Sequence, residues 1–138
     1  MRFAVVVSKF NPDVTQGLLA GARKYLAEKK CKLDEFEAPG AFELPLIAKK
    51  LAAKKKYAGV ICLGCVIKGD TMHFEYISLA ATVGILQAGL DTGKPVTFGV
   101  LTTLDDAQAV KRSRPDAHNK GIEAAAACWE TAKLLAKI

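Results

Sequence analysis

Four short runs of strand character alternate along the chain with longer stretches in which apolar residues recur every three or four positions. Phe3-Ala4-Val5-Val6-Val7 is apolar without a break, the pattern of a strand covered on both faces. Val14, Leu18, Ala22, Tyr25 and Leu26 then keep to one face of a helix reaching about Lys29. Leu33 to Ala38 is a second strand, more polar and so expected nearer a sheet edge. Pro39-Gly40 ends it, and Phe42-Glu43-Leu44-Pro45 opens a second helix with Pro45 in the first turn, where a missing N–H costs nothing. Val60-Ile61-Cys62-Leu63 is the third strand, followed by a loop that Gly64 and Gly69 punctuate. Phe74, Ile77, Ala81, Ile85 and Ala88 mark a helix from about His73 to Leu90. Pro95 to Leu101 predicts strand four, and Thr102-Thr103 is expected to cap a short helix from Leu104 to Arg112. Arg114 to His118 breaks that helix, and Asn119 predicts the cap of a last one, with Ile122, Ala125, Ala126, Trp129 and Ala132 on one face.

Strict alternation of strand and helix predicts an α/β fold: a four-stranded parallel sheet with helices on both faces, joined by right-handed crossovers. Such a three-layer α/β/α arrangement is flavodoxin-like. The 138 residues are read as a single domain spanning 1–138, long enough to bury a core and free of internal repeats.

Composition changes this picture little. A chain with 51% hydrophobic and 25% charged residues is globular and not disordered. No apolar run is long enough to cross a bilayer, and Met1-Arg2-Phe3-Ala4 leads straight into a strand, so a cytoplasmic protein without a membrane partner is expected. The net charge of +6 raises the question of nucleic acid, but the basic residues are spread. The one run, Lys54-Lys55-Lys56, lacks interleaved aromatics and is expected at a helix end, where cations complement the dipole. Nucleic acid is therefore not an expected partner, whereas a diffuse positive field draws in a small phosphorylated substrate. Cys62 and Cys65 form a C-x-x-C, a spacing that raises redox or zinc chemistry with His73 and His118 as further ligands. Cys62 lies inside a strand, however, whereas a redox pair sits at a helix N-terminus, and no second C-x-x-C exists, so no metal is expected. Cys31 and Cys128 read as small hydrophobes.

Chemistry gathers where strand three feeds the next helix. A strand that ends in a glycine-bearing loop and leads into a helix offers unpaired N–H groups and a positive dipole end to an anion. Asp70, Thr71 and His73 sit at that turn, beyond the carboxyl end of a strand, where open α/β sheets bind ligands.

The blocks SKFNPD, PGAFELP, LGCVIKGDTMHFEY, TFGVLT and KR…HNKGIEAA occur in that order over nearly the whole chain. Together they resemble the lumazine synthase family. The resemblance implies an enzyme of riboflavin biosynthesis that condenses 5-amino-6-(D-ribitylamino)uracil with 3,4-dihydroxy-2-butanone 4-phosphate. The products would be 6,7-dimethyl-8-ribityllumazine, phosphate and water. It further implies no cofactor, and homo-oligomers: pentamers, in some members twelve of them in an icosahedral shell, with active sites between neighbouring subunits. The archaeal-type riboflavin synthase shares this fold and is the nearest alternative, although GDTMHFEY and PGAFELP favour the enzyme that makes lumazine. A non-catalytic module that holds a flavin is the alternative from another class.

By the same resemblance Phe10 stacks on the pyrimidine, where a core anchor of the loop is the plainer reading, and Asn11 joins it. Ala41 and Phe42 offer backbone amides, and Glu43 accepts from ribityl hydroxyls or simply complements the helix dipole. Cys65, Val66 and Ile67 line the pyrimidine pocket. Asp70 and Thr71 bind phosphate, Asp70 through its N–H alone, with an ordinary N-cap as the alternative for Thr71. His73 relays protons, because an imidazole titrates near neutral pH. Phe98 and Arg112 come from the adjacent subunit, Arg112 forking onto the phosphate. Lys120 and Glu123, one helical turn apart, form a pair beside it, while His118 is expected to be solvated or capping.

Overall fold

A computed structural model describes residues 1–138. In chain order its elements are β1 (Arg2–Ser8), α1 (Pro12–Glu28), β2 (Lys32–Ala38), a 3-10 turn (Ala41–Glu43), α2 (Leu44–Ala52), β3 (Val60–Ile67), α3 (His73–Thr92), β4 (Val96–Thr103), α4 (Asp106–Lys111) and α5 (Lys120–Leu135). The sheet is all parallel in the order β2-β1-β3-β4. Successive strand residues point to opposite faces, so each apolar run feeds two cores. Phe3, Val5, Val7, Ile61 and Leu63 pack against Leu18, Ala22 and Leu26 of α1 and Ala125 and Cys128 of α5. Ala4, Val6, Val60 and Cys62 pack under Leu44 and Ala48 of α2 and Ala81 and Ile85 of α3. Helices therefore cover both faces, as the alternation of elements predicts, and the polar strand β2 lies at an edge.

That edge is tied down by charge. Arg2 Nη1 (2.5 Å) and Tyr57 Oη (2.8 Å) both donate to the Asp34 carboxylate, and Arg23 forks onto Glu35 at 2.6 and 2.7 Å. The bond from Tyr57, before the charge of Arg2, holds the Asp34 carboxyl below the usual carboxylate range. Arg23 does the same to Glu35. Depressed carboxyls contribute stability that is present above their unfolded-state values and lost as the pH falls through the lower folded-state values. Tyr57→Phe removes the main cause at Asp34. Acid unfolding followed by circular dichroism is therefore expected to have its midpoint at a higher pH in the variant. An unchanged midpoint would rule out this linkage.

Four local expectations need correction. β3 runs past Leu63 to Ile67 because β4, extending to Thr103, offers ladder partners as far as Ile67–Thr103, so Cys65, Val66 and Ile67 form a strand end and not a loop. A 3-10 turn precedes α2, leaving Pro45 in the first turn of the helix proper. Thr102 and Thr103 finish β4; the cap of α4 is Asp105, whose carboxylate accepts from Gln108 N at 2.8 Å, while the Thr103 hydroxyl donates to the Asp105 carbonyl. The Lys54–Lys56 run lies in a turn beyond Ala53, which closes α2. Asn119 does cap α5, its Oδ1 accepting from Ile122 N at 3.0 Å.

Candidate active site

The chain order reverses direction between β1 and β3, and the carboxyl ends of strands flanking such a switch leave a crevice. A cavity of 480 Å³ lies there, lined among others by Ser8, Phe10, Gly40, Glu43, Cys65 and His73. Asn11, Ala41, Phe42, Val66, Ile67 and Ile77 complete its wall. Nine of the candidate residues thus come together from the ends of β1 and β3, the 3-10 turn and the start of α3: Phe10, Asn11, Ala41, Phe42, Glu43, Cys65, Val66, Ile67 and His73, with Ser8 and Ile77 as neighbours to which sequence reasoning gave no site role.

Asn11 shapes this cavity. It sits in the left-handed region (φ 55°, ψ 58°), which asparagine tolerates better than most side chains. Its Nδ2 donates to the Cys65 carbonyl at 2.9 Å, clasping the loop after β1 to the end of β3. The adjacent Phe10 ring is thereby held out, 66% exposed, over the cavity. A ring so exposed is not a core anchor, and its face is open to a flat partner. Gly40 permits the opposite wall to close in. A Cβ there would lie 3.1 Å from Glu43 Oε1 and 3.2 Å from the Phe10 ring. Ring and carboxylate therefore face a common space.

Thr71 and Asp70 stand exposed on the segment before α3 and are not part of the cavity wall. Thr71 Oγ1 accepts from His73 N at 3.3 Å across a turn, but the N-cap of α3 is Met72 and not Thr71, and the hydroxyl's own proton stays available to a further acceptor. Lys68 Nζ lies 3.5 Å from Glu75 Oε1 beside the same turn.

Phe98 and Arg112 are elsewhere. They line a second cavity of 450 Å³ along the β4 edge, together with Thr102, Lys111, His118, Lys120 and Glu123. Three cationic side chains, Lys111, Arg112 and Lys120, stand there against one acid, Glu123, and give the cavity a positive field. Arg112 makes no ion pair, and only its Nη1 is engaged, donating to the Gln108 carbonyl at 2.9 Å. Most of its donors are uncommitted. Lys120 and Glu123 do pair, at 3.0 Å. His118, read from sequence as a turn residue, lines this cavity, a placement that only the fold discloses.

Cys62, Cys65 and Cys128 are buried, and no cluster of three potential metal ligands exists. Burial pushes the Cys65 thiol up to about 11 and the Cys128 thiol up to about 12, and raises Cys62 further, so all three stay protonated near neutrality. No helix is long and apolar enough to cross a membrane.

A protein from Caulobacter vibrioides described as 6,7-dimethyl-8-ribityllumazine synthase 1 is 59% identical, over 99% of this chain and 92% of its own length. Proteins described as 6,7-dimethyl-8-ribityllumazine synthase from Syntrophus aciditrophicus and Nitratidesulfovibrio vulgaris (strain Miyazaki F) are 46% and 42% identical, each over the whole of this chain and 92% and 90% of their own lengths. The profile of the same family matches residues 1–136. With full-length likeness of that order, and the switch-point cavity in place, the chain belongs to the 6,7-dimethyl-8-ribityllumazine synthase family, enzymes of riboflavin biosynthesis.

Proposed function

We propose that the chain joins 5-amino-6-(D-ribitylamino)uracil to 3,4-dihydroxy-2-butanone 4-phosphate in sites shared between two copies of itself. The observation that carries this reading is the division of labour on one chain. The stacking ring and the imidazole lie in one cavity, and the uncommitted guanidinium lies in another. Two half-sites on separate parts of the surface are completed when a neighbour's β4 edge meets the switch-point crevice. Phe10 then covers the pyrimidine, and Ala41, Phe42 and Glu43 take the ribityl chain. The Thr71 hydroxyl and nearby amides share the phosphate with the neighbour's Arg112, while Lys120 and Glu123 of the same neighbour border it.

The chemistry suits such a site. The pyrimidine amine adds to the ketone carbonyl and water leaves as an imine forms. Phosphate is then eliminated, and the second nitrogen closes the ring with loss of water. Every step moves a proton, and His73 at the cavity mouth is an imidazole free to take and return one. Arg112 neutralises the departing phosphate. Holding two reactants at reacting distance supplies much of the rate, so the imidazole accelerates a step that positioning already favours. His73→Asn is therefore expected to lower kcat by ~10- to 100-fold without abolishing product. Complete loss, with substrate binding intact, would make the imidazole indispensable and overturn that balance.

A homopentamer is part of the proposal. Met72, Tyr76, Leu79, Val83, Leu86 and Leu90 are each more than half exposed and follow one another at intervals of four, three, four, three and four. That heptad spacing is the seam on which helices pack against copies of themselves. The cytoplasm is the proposed location. The deciding experiment supplies both substrates to purified protein and follows fluorescent lumazine and free phosphate together. Equal rates of appearance are expected, and folded protein that forms neither would refute the reading.

A further inference from the structure

Between Arg112 and Lys120, both on the second cavity, the chain makes an excursion and returns on itself, with Lys120 N donating to the Arg112 carbonyl at 2.8 Å. Everything inside that excursion is fastened by one side chain. Asn119 is 2% exposed, and its Nδ2 faces the main-chain carbonyls of Ser113 (3.2 Å), Arg114 (2.9 Å) and, across to α1, Gly17 (3.1 Å). Its Oδ1 meanwhile caps α5 through Ile122 N. α1 is cut away to let this happen. A Cβ at Gly17 would collide with the Ser113 carbonyl oxygen, and one at Gly21 with Asn119 Oδ1.

We infer that Asn119 is a positioning residue. It fixes the excursion 113–119 against α1, and so sets the place from which Arg112 and Lys120 reach an anion. The chemistry asks for an amide. A capping oxygen is common to aspartate, serine and asparagine, but only asparagine adds N–H donors for the carbonyls beside it. A cap alone would need none of them. The inference rests on the proposed role of Arg112 at the phosphate, and its test separates the two.

Asn119→Ser keeps a capping oxygen and deletes the donors. Gly17→Ala keeps the Asn119 side chain and displaces the Ser113 carbonyl that it holds, so it decides the matter if the serine variant does not fold. Tyr57→Phe, which loosens the far β2 edge, is the control for lost stability alone. Two readouts are taken. Trypsin reports the order of the excursion directly, because Lys111 and Arg112 are exposed cleavage points at its base. Cleavage there is expected to speed up ~10-fold or more in Asn119→Ser and Gly17→Ala and to change little in the control. The KM for the phosphate substrate is expected to rise ~10-fold in the same two variants, with the KM for the pyrimidine within about twofold. Unchanged cleavage in both variants overturns the inference, as does faster cleavage with an unchanged phosphate KM while Arg112→Ala raises it. If Arg112→Ala itself leaves the phosphate KM unchanged, the role of Arg112 fails, and the trypsin result alone then decides whether Asn119 orders the excursion.

Discussion

Arg112→Ala is expected to raise the KM for 3,4-dihydroxy-2-butanone 4-phosphate by ~100-fold while leaving that of the pyrimidine within about twofold, because a charge-assisted hydrogen bond to an anion is worth ~1.5–3 kcal/mol. The guanidinium has no carboxylate partner to neutralise it and gives one N–H to the Gln108 carbonyl, so its removal should disturb the fold little. Lysine is not an adequate substitute. A point charge cannot reproduce the planar fork, and Arg112→Lys should recover only part of the loss. Steady-state kinetics with each substrate varied in turn gives the answer, and equal loss toward both substrates would contradict the assignment. The same variant also tests sharing. Phe10→Ala damages the switch-point cavity, Arg112→Ala the β4 edge. Each is strongly impaired alone when the phosphate substrate is kept well below the KM of Arg112→Ala, but in a random mixture of subunits about a quarter of the sites pair an intact Phe10 with a neighbour's intact Arg112, as follows from a heterologous contact repeated around a ring. Co-refolded mixtures should regain about that fraction of wild-type activity. No recovery would place both residues in one subunit's site.

What the sequence made legible follows from how far apart the determining residues lie. The strand-and-helix order is written in local periodicity, and the β2 edge in the polarity of Lys32–Ala38. Thr102-Thr103 misled because strand length is set by the partner strand: Ile67 and Thr103 extend one another, and neither segment reveals this alone. Asp105 then took the cap because, beyond the end of the ladder at Thr103, it offers the first carboxylate, Leu104 having none. Most of the wall of the switch-point cavity, Ser8 and Ile77 excepted, could be named from short blocks, since each block is one strand end or one turn. The clasps could not. Asn11 reaches across to Cys65, and Asn119 to Gly17, over separations that no local pattern records. From sequence, Asn119 is only a helix cap. The three carbonyls that give it a second task come from segments folded around it.

Breaking the seam on α3 should have the largest effect of all. The helix already has a committed inner face, with Ala81, Ile85 and Ala88 buried in the core, so the outer row serves no purpose within one chain. Leu79 and Leu86 are 64% and 61% exposed. Leu79→Glu with Leu86→Glu should therefore leave the isolated fold intact, at the level of circular dichroism, since glutamate is a good helix former at a solvated position. In an assembly the same two carboxylates would be buried against copies of themselves, at a cost of several kcal/mol for each unpaired charge, beyond what a subunit contact can absorb. Sedimentation is expected to find monomers where the parent, on the proposed reading, sediments as pentamers. Activity should fall by ~1,000-fold, more than for Arg112→Ala, because the whole second half-site departs and with it the positioning of one reactant against the other. A variant that is monomeric yet fully active would mean that one chain holds a complete site. A variant that still assembles would mean that the α3 row faces water in the native protein, and the contact between copies would then have to be sought at the β4 edge alone.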